Sequence, residues 1–161
     1  MKPIVLATDG SPSAAAATLQ AIELARALGI PLVAVSVEDQ MYPSAGSYGY
    51  TGVIAEFSKA AGERVDRTLA RASALAADAG VICDLVHAKG PVHQQICDVA
   101  ARHEARMIVI GAHGWGPLQR ALHGSVSTAV VHEARCPVLV VPRDLEPIVA
   151  TAYRREAAAA S

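Results

Sequence analysis

The sequence predicts an α/β domain: a three-layer sandwich in which a five-stranded parallel sheet of Rossmann-like winding lies between two layers of helices. Three observations lead there. Runs rich in Val, Ile and Leu alternate with longer stretches of helical composition, in the order β-α-β-α-β-α-β-α-β. The runs Ile4-Val5-Leu6-Ala7 and Met107-Ile108-Val109-Ile110 are apolar at every position, the pattern of strands covered on both faces. Aromatics are only 4% of the chain while roughly a fifth of it is Ala, so the apolar mass is aliphatic, Ala for helices and branched residues for strands.

Each element has its own justification. The first strand, residues 4–7, gives way to Thr8-Asp9-Gly10-Ser11, and Pro12 suits the first turn of a helix over 13–28 that Gly29 ends. A second strand spans 31–37. Residues 39–52 carry Gly46, Gly49, Gly52, Ser44, Ser47 and the tyrosines Tyr42, Tyr48 and Tyr50, a loop long enough to be either a surface excursion or a ligand lid or partner contact. A helix over 54–79 ends at Gly80, a third strand covers 81–87, and Pro91 opens a helix over 91–103. The fourth strand, 107–110, leads into a glycine-rich segment, a helix over 125–133 and a last strand over 138–141. Residues 143–161, beginning beside Pro142 and ending in four alanines, form a tail that is frayed or a short docked helix.

Composition bounds the function. A chain of 161 residues is the size of one domain, here residues 1–142, and buries roughly 70% of its unfolded surface. Fourteen basic against fifteen acidic residues give −1, which leaves no polybasic footprint for nucleic acid or a membrane surface. With 52% hydrophobic and 18% charged residues, disorder is excluded. The apolar run at the N-terminus stops at Asp9, and no stretch reaches the roughly 18 apolar residues of a membrane span, so a cytoplasmic protein is expected. Cys83, Cys97 and Cys136 are odd in number and lack CxxC spacing; they are expected to be small buried hydrophobes in a reducing compartment.

In an open parallel sheet, ligands bind beyond the carboxyl ends of the strands, so the residues after each strand decide the chemistry. After the fourth strand the chain spends about a dozen residues on Gly111-Ala-His113-Gly114-Trp115-Gly116-Pro117-Leu-Gln-Arg120-Ala-Leu-His123-Gly124-Ser125 before a helix begins. Gly111 and Gly114 allow close backbone approach to a ligand. Gly124-Ser125 stands before a helix whose free N–H groups attract anions, with the Ser125 hydroxyl suited to capping or to a phosphate oxygen. Residues 105–132 contain no Asp or Glu, so nothing in this window repels a phosphate.

The spacing Gly, two residues, Gly, nine residues, Gly-Ser, met by Gly111, Gly114, Gly124 and Ser125, resembles the ATP-binding motif of the universal stress protein family. The opening Ile4-Val5-Leu6-Ala7-Thr8-Asp9-Gly10-Ser11 and the closing Cys136-Pro137-Val138-Leu139-Val140-Val141 resemble that family's first and last strands. The resemblance covers residues 3–142 and implies an adenine nucleotide alpha hydrolase-like fold that takes ATP with Mg²⁺. By position, it implies that Ala7, Asp9, Val37, Ile110 and Gly111 surround adenine and ribose, and that Gly114, Gly124, Ser125 and Val126 hold ribose and phosphates. It also implies a homodimer formed through Val138–Val141 and a protein partner of unknown identity. His123 stands where the family has an aliphatic residue, and Trp115 and Pro117 stiffen a loop that is often richer in Arg and Gly.

Rival chemistries fit less well. The only lysines, Lys2, Lys59 and Lys89, lie outside any glycine loop, which excludes a P-loop kinase. Gly10 stands alone where a dinucleotide fold needs GxGxxG, and no GxSxG or HExxH is present. An FMN site using Thr8, Ser11 and Ser13 leaves the glycine segment unexplained. Arg120 and Asp9 are a thin set for phosphoryl transfer, so no catalytic residue is assigned and binding for signalling is expected over turnover. A slow ATPase or phosphotransfer enzyme on the same fold, or a nucleotide-free protein-interaction module, are the alternatives.

Overall fold

The computed structural model describes residues 1–39, 51–112 and 125–143. The elements run β1 (Ile4–Ala7), α1 (Pro12–Leu28), β2 (Leu32–Glu38), α2 (Thr51–Asp78), β3 (Cys83–Lys89), α3 (Val92–Arg102), β4 (Met107–Gly111), α4 (Ser125–Glu133) and β5 (Val138–Val141). The strands form one parallel sheet in the order β3-β2-β1-β4-β5. β1 therefore lies at the centre, Leu6 pairing with Ala34 on one side and Val109 on the other. All four of its side chains are buried, which is why its sequence carries no polar alternation.

The boundaries follow local chemistry. Ser11 caps α1, its hydroxyl accepting from the Ala14 N–H at 3.2 Å, and Pro12 occupies the first turn, where its missing donor costs nothing. Gly29, left-handed at φ 63°, ends α1, with its own N–H and that of Ile30 bonded back to Arg26 and Ala25. The same closure ends α2: Gly80 sits at φ 71° and the Val81 N–H returns to the Ala76 carbonyl at 2.9 Å. Val81 is thereby spent on the helix, so β3 begins at Cys83, two residues later than the run of apolar residues suggests. α2 begins at Thr51, inside the segment read from sequence as loop; Gly52 falls in the first turn, away from the interior positions where glycine is costly. The rest of that loop, with Tyr42, Tyr48 and Tyr50, lies outside the described residues, as does the tail beyond residue 143.

The core divides by face. α1 and α2 cover one side, packing Ala17, Ala21, Ala25, Leu69 and Ala76 against Ile4, Leu6, Leu32 and Ala34. α3 and α4 cover the other, packing Ile96, Val99 and Val130 against Val5, Val33, Ile108 and Ile110. Cys83, Cys97 and Cys136 are half-buried, not fully enclosed. No helix among the described residues is long and apolar enough to cross a membrane.

Candidate functional site

Because β1 pairs with β2 on one side and β4 on the other, the chain leaves its carboxyl end toward one helical layer and leaves that of β4 toward the other. The crevice at this reversal is where an open parallel sheet binds ligands. Both exits are held by short polar contacts. The Thr8 N–H donates to Val35 O at 3.0 Å, extending the pairing one residue past β1. Asp9 Oδ1 then accepts from the Ser11 N–H at 2.9 Å, an Asx-type turn that delivers the chain to the cap of α1. Between them Gly10 stands at φ 77°, where an added Cβ would also lie 2.9 Å from Thr68 Oγ1 of α2.

At the β4 exit, the Ala112 N–H donates to Val141 O at 2.9 Å. Gly111 is required by packing: a Cβ there would stand 2.8 Å from the Ser13 carbonyl carbon and 3.0 Å from the Ala14 nitrogen, so the first turn of α1 could not close onto β4. The Ser127 hydroxyl, in the first turn of α4, donates to Ala112 O at 3.3 Å and ties the start of that helix to the end of the strand. The end of β4 and the first turn of α4 are thus joined directly.

The predicted site residues are distributed as follows. Ala7, Val37, Ile110 and Val126 belong to one apolar cluster on the α3/α4 face, with Ala7 and Ile110 buried and the other two half-buried. Asp9 is exposed at the β1 exit, Gly111 closes β4, and Ser125 is exposed at the first position of α4, where unpaired backbone N–H groups favour an anion. Gly114 and Gly124 lie outside the described residues, together with His113, Trp115, Pro117, Arg120 and His123. Ser127 was not singled out from sequence; its signal is its place in the first helical turn two residues after Ser125.

A second polar cluster, also missed from sequence, occupies the other face. Glu38, the last residue of β2, is 5% exposed, yet its carboxylate is fully engaged. Oε1 accepts from the Ser58 hydroxyl at 3.1 Å, while Oε2 lies 3.0 Å from Lys89 Nζ and 3.3 Å from His87 Nε2. His87 Nδ1 lies 2.9 Å from Asp66 Oδ1. Lys89 holds the Glu38 carboxyl below its ordinary range, opposed by burial and assisted by Ser58 and His87. Gly62, one turn from both Ser58 and Asp66, also faces the carboxylate: a Cβ there would lie 3.6 Å from Glu38 Oε2, an ordinary contact. The cluster bridges β2, β3 and α2. Among the described residues no group of three or more His, Cys, Asp or Glu could hold a metal ion.

The comparisons with known proteins agree with this architecture. The Universal stress protein family model matches residues 1–142. A universal stress protein of Methanocaldococcus jannaschii is 32% identical over 146 residues, covering 88% of this chain and 82% of the relative. The chain spans less than half, 44%, of a longer universal stress protein of Mycobacterium tuberculosis that it also matches. Universal stress protein UspA from Lactobacillus plantarum superimposes with a TM-score of 0.78 at 25% identity, over 87% of this chain and 97% of that one. A universal stress family protein from Arabidopsis thaliana, solved with AMP bound, shares the fold with a TM-score of 0.65 at 20% identity, over 89% and 93% of the two chains. The chain belongs to the universal stress protein family.

Proposed function

We propose that this protein binds ATP at the carboxyl edge of β1 and β4 and acts as a nucleotide-dependent stress-response module, with binding and not turnover as its output. The observation that carries the reading is the spacing from Gly111 to Ser125, which begins where β4 ends and finishes at the N-terminus of α4. Ala7, Val37 and Ile110 give the adenine an apolar wall, Val126 of the same cluster lies toward the ribose and phosphates, and Asp9 is the acceptor for ribose hydroxyls. Gly111, Gly114, Gly124 and Ser125 present backbone N–H groups and a hydroxyl to the phosphates in a stretch without acidic residues. Mg²⁺ would arrive on the phosphates and keep most of its water, which needs at most one or two carboxylates from the protein. AMP in the solved Arabidopsis relative is a member of the same ligand class.

In this reading residues 1–142 are the nucleotide-binding domain and 143–161 an appendage to it, and the protein works in the cytoplasm. Val138, Leu139 and Val140 of the edge strand β5 are half-buried in one chain, and pairing two such edges would cover them and give a homodimer. Light scattering at micromolar concentration is expected to return twice the chain mass; a monomer would refute that part.

Calorimetric titration with Mg-ATP tests the central claim, with released phosphate assayed in parallel. The wild type is expected to give saturable heat with little phosphate, and Gly114→Val and Gly124→Val to abolish the heat. Absence of heat from the wild type overturns ATP binding. Sustained phosphate release lost in the same variants would make the protein an enzyme.

A further inference from the structure

Away from the nucleotide edge, at the amino ends of β1, β4 and β5, a cavity of about 620 Å³ opens between α3 and the end of α4. Its wall includes Lys2, Cys97, Asp98, Glu133, Arg135 and Cys136. The two cysteines come from different elements, Cys97 from the middle of α3 and Cys136 from the turn that enters β5, and both are half-buried free thiols. The elements that carry them approach closely at this point. One turn before Cys97, His93 Nε2 lies 3.4 Å from Glu133 Oε1, and Glu133 is three residues before Cys136. We infer that Cys97 and Cys136 form a redox-sensitive dithiol that hydrogen peroxide converts into an intramolecular disulfide.

The step balances without a cofactor. One thiolate attacks the peroxide oxygen; the S–O bond forms, the O–O bond breaks, and a sulfenic acid and water result once the leaving hydroxide is protonated. The second thiol attacks the sulfenic sulfur, the S–S bond forms, the S–O bond breaks, and a second water departs with the proton released by that thiol. Two thiols have been oxidised and one peroxide reduced; a dithiol reductant reverses the change.

Burial pushes both thiols up from the ordinary value, helped at Cys97 by the nearby charges of Glu133 and Asp98. Because the thiolate is the nucleophile, the reaction accelerates as pH rises. The bond would join α3 to the turn that enters β5, at the end of the sheet opposite the nucleotide edge.

Full-length protein treated with a small excess of hydrogen peroxide, then alkylated and peptide-mapped, tests the inference. A Cys97–Cys136 peptide pair is expected, formed within single chains, reversed by dithiothreitol and retained in Cys83→Ser. In Cys97→Ser and in Cys136→Ser the disulfide is expected to be lost, with the sulfenic acid left on the remaining thiol of the pair and labelled by dimedone. Links through Cys83, links only between chains, higher oxides without a disulfide, or thiols unchanged by peroxide would each overturn it.

Discussion

The two helical layers cover one sheet in different ways. α1 and α2 are long, 17 and 28 residues, and α1 meets the sheet through Ala17, Ala21 and Ala25, whose small side chains let the helix lie close. That face is locked at its carboxyl end by Glu38 and its partners from α2 and β3. α3 and α4 are short, 11 and 9 residues, and they cover the sheet incompletely, leaving the cavity of about 620 Å³ and its two thiols. The apolar residues proposed to face the nucleotide, Ala7, Val37, Ile110 and Val126, are all on this second side. The contrast is one of packing: the long helices close their face of the sheet, and the shorter ones leave a cavity beside theirs.

The largest test compares two fully buried side chains on opposite faces. Leu6, 0% exposed on the α1/α2 side, is enclosed by closely packed alanines with little freedom to collapse, so Leu6→Ala is expected to cost about 2–5 kcal/mol. Val130, also 0% exposed but on the α3/α4 side, loses less on truncation, about 1–2 kcal/mol for Val130→Ala, and has looser neighbours to relax. Urea denaturation of both variants decides it. Equal losses would mean that the two layers are equally rigid.

The difference between the faces was only partly legible in the sequence. The ends of β1 and β5 could be read directly, because uninterrupted apolar runs have sharp polar or proline borders. The start of β3 could not, since Val81 looks like strand and is instead used in a helix closure that depends on tertiary geometry. Val37, Ile110 and Val126 were carried to the site by resemblance, and the structure sets them on one face. Glu38 went unnoticed because Ser58, Asp66, His87 and Lys89 are 20 or more residues away in sequence, and only the register that places Glu38 opposite Lys89 reveals the cluster. The same limit hid Cys97 and Cys136, which share neither an element nor a spacing motif.

The polar lock can be broken without disturbing the apolar packing. Glu38→Gln keeps the shape but removes the charge that engages Lys89 and His87, and is expected to cost about 1–2 kcal/mol at neutral pH. Since Lys89 chiefly, with Ser58 and His87, holds the Glu38 carboxyl below its ordinary value of 4.5, its contribution is fully present above that value and is lost as pH falls through the depressed one. The stability gap between wild type and Glu38→Gln should therefore be constant at neutral pH and narrow in acid. A gap unchanged by acid would show that the charge is not what locks this face.

The smallest effect concerns the less rigid side, where α3 ends without a glycine. Glu104 is at φ 48°, and its N–H and that of Ala105 return to Ala101 and Ala100 at 3.1 and 2.8 Å, the closure that Gly29 and Gly80 make elsewhere. A side chain in this left-handed conformation crowds the following carbonyl. Its contact with Lys2, 3.9 Å between exposed groups, offsets little of that cost. Glu104→Gly is expected to raise stability by about 0.5–1 kcal/mol, the relief of strain exceeding the extra freedom glycine gives the unfolded chain. Glu104→Ala separates backbone from side chain, because it removes the carboxylate but keeps the Cβ: it should bring no gain. If alanine stabilised as much as glycine, the cost at this helix end would come from the Glu104 side chain and the backbone would be unstrained.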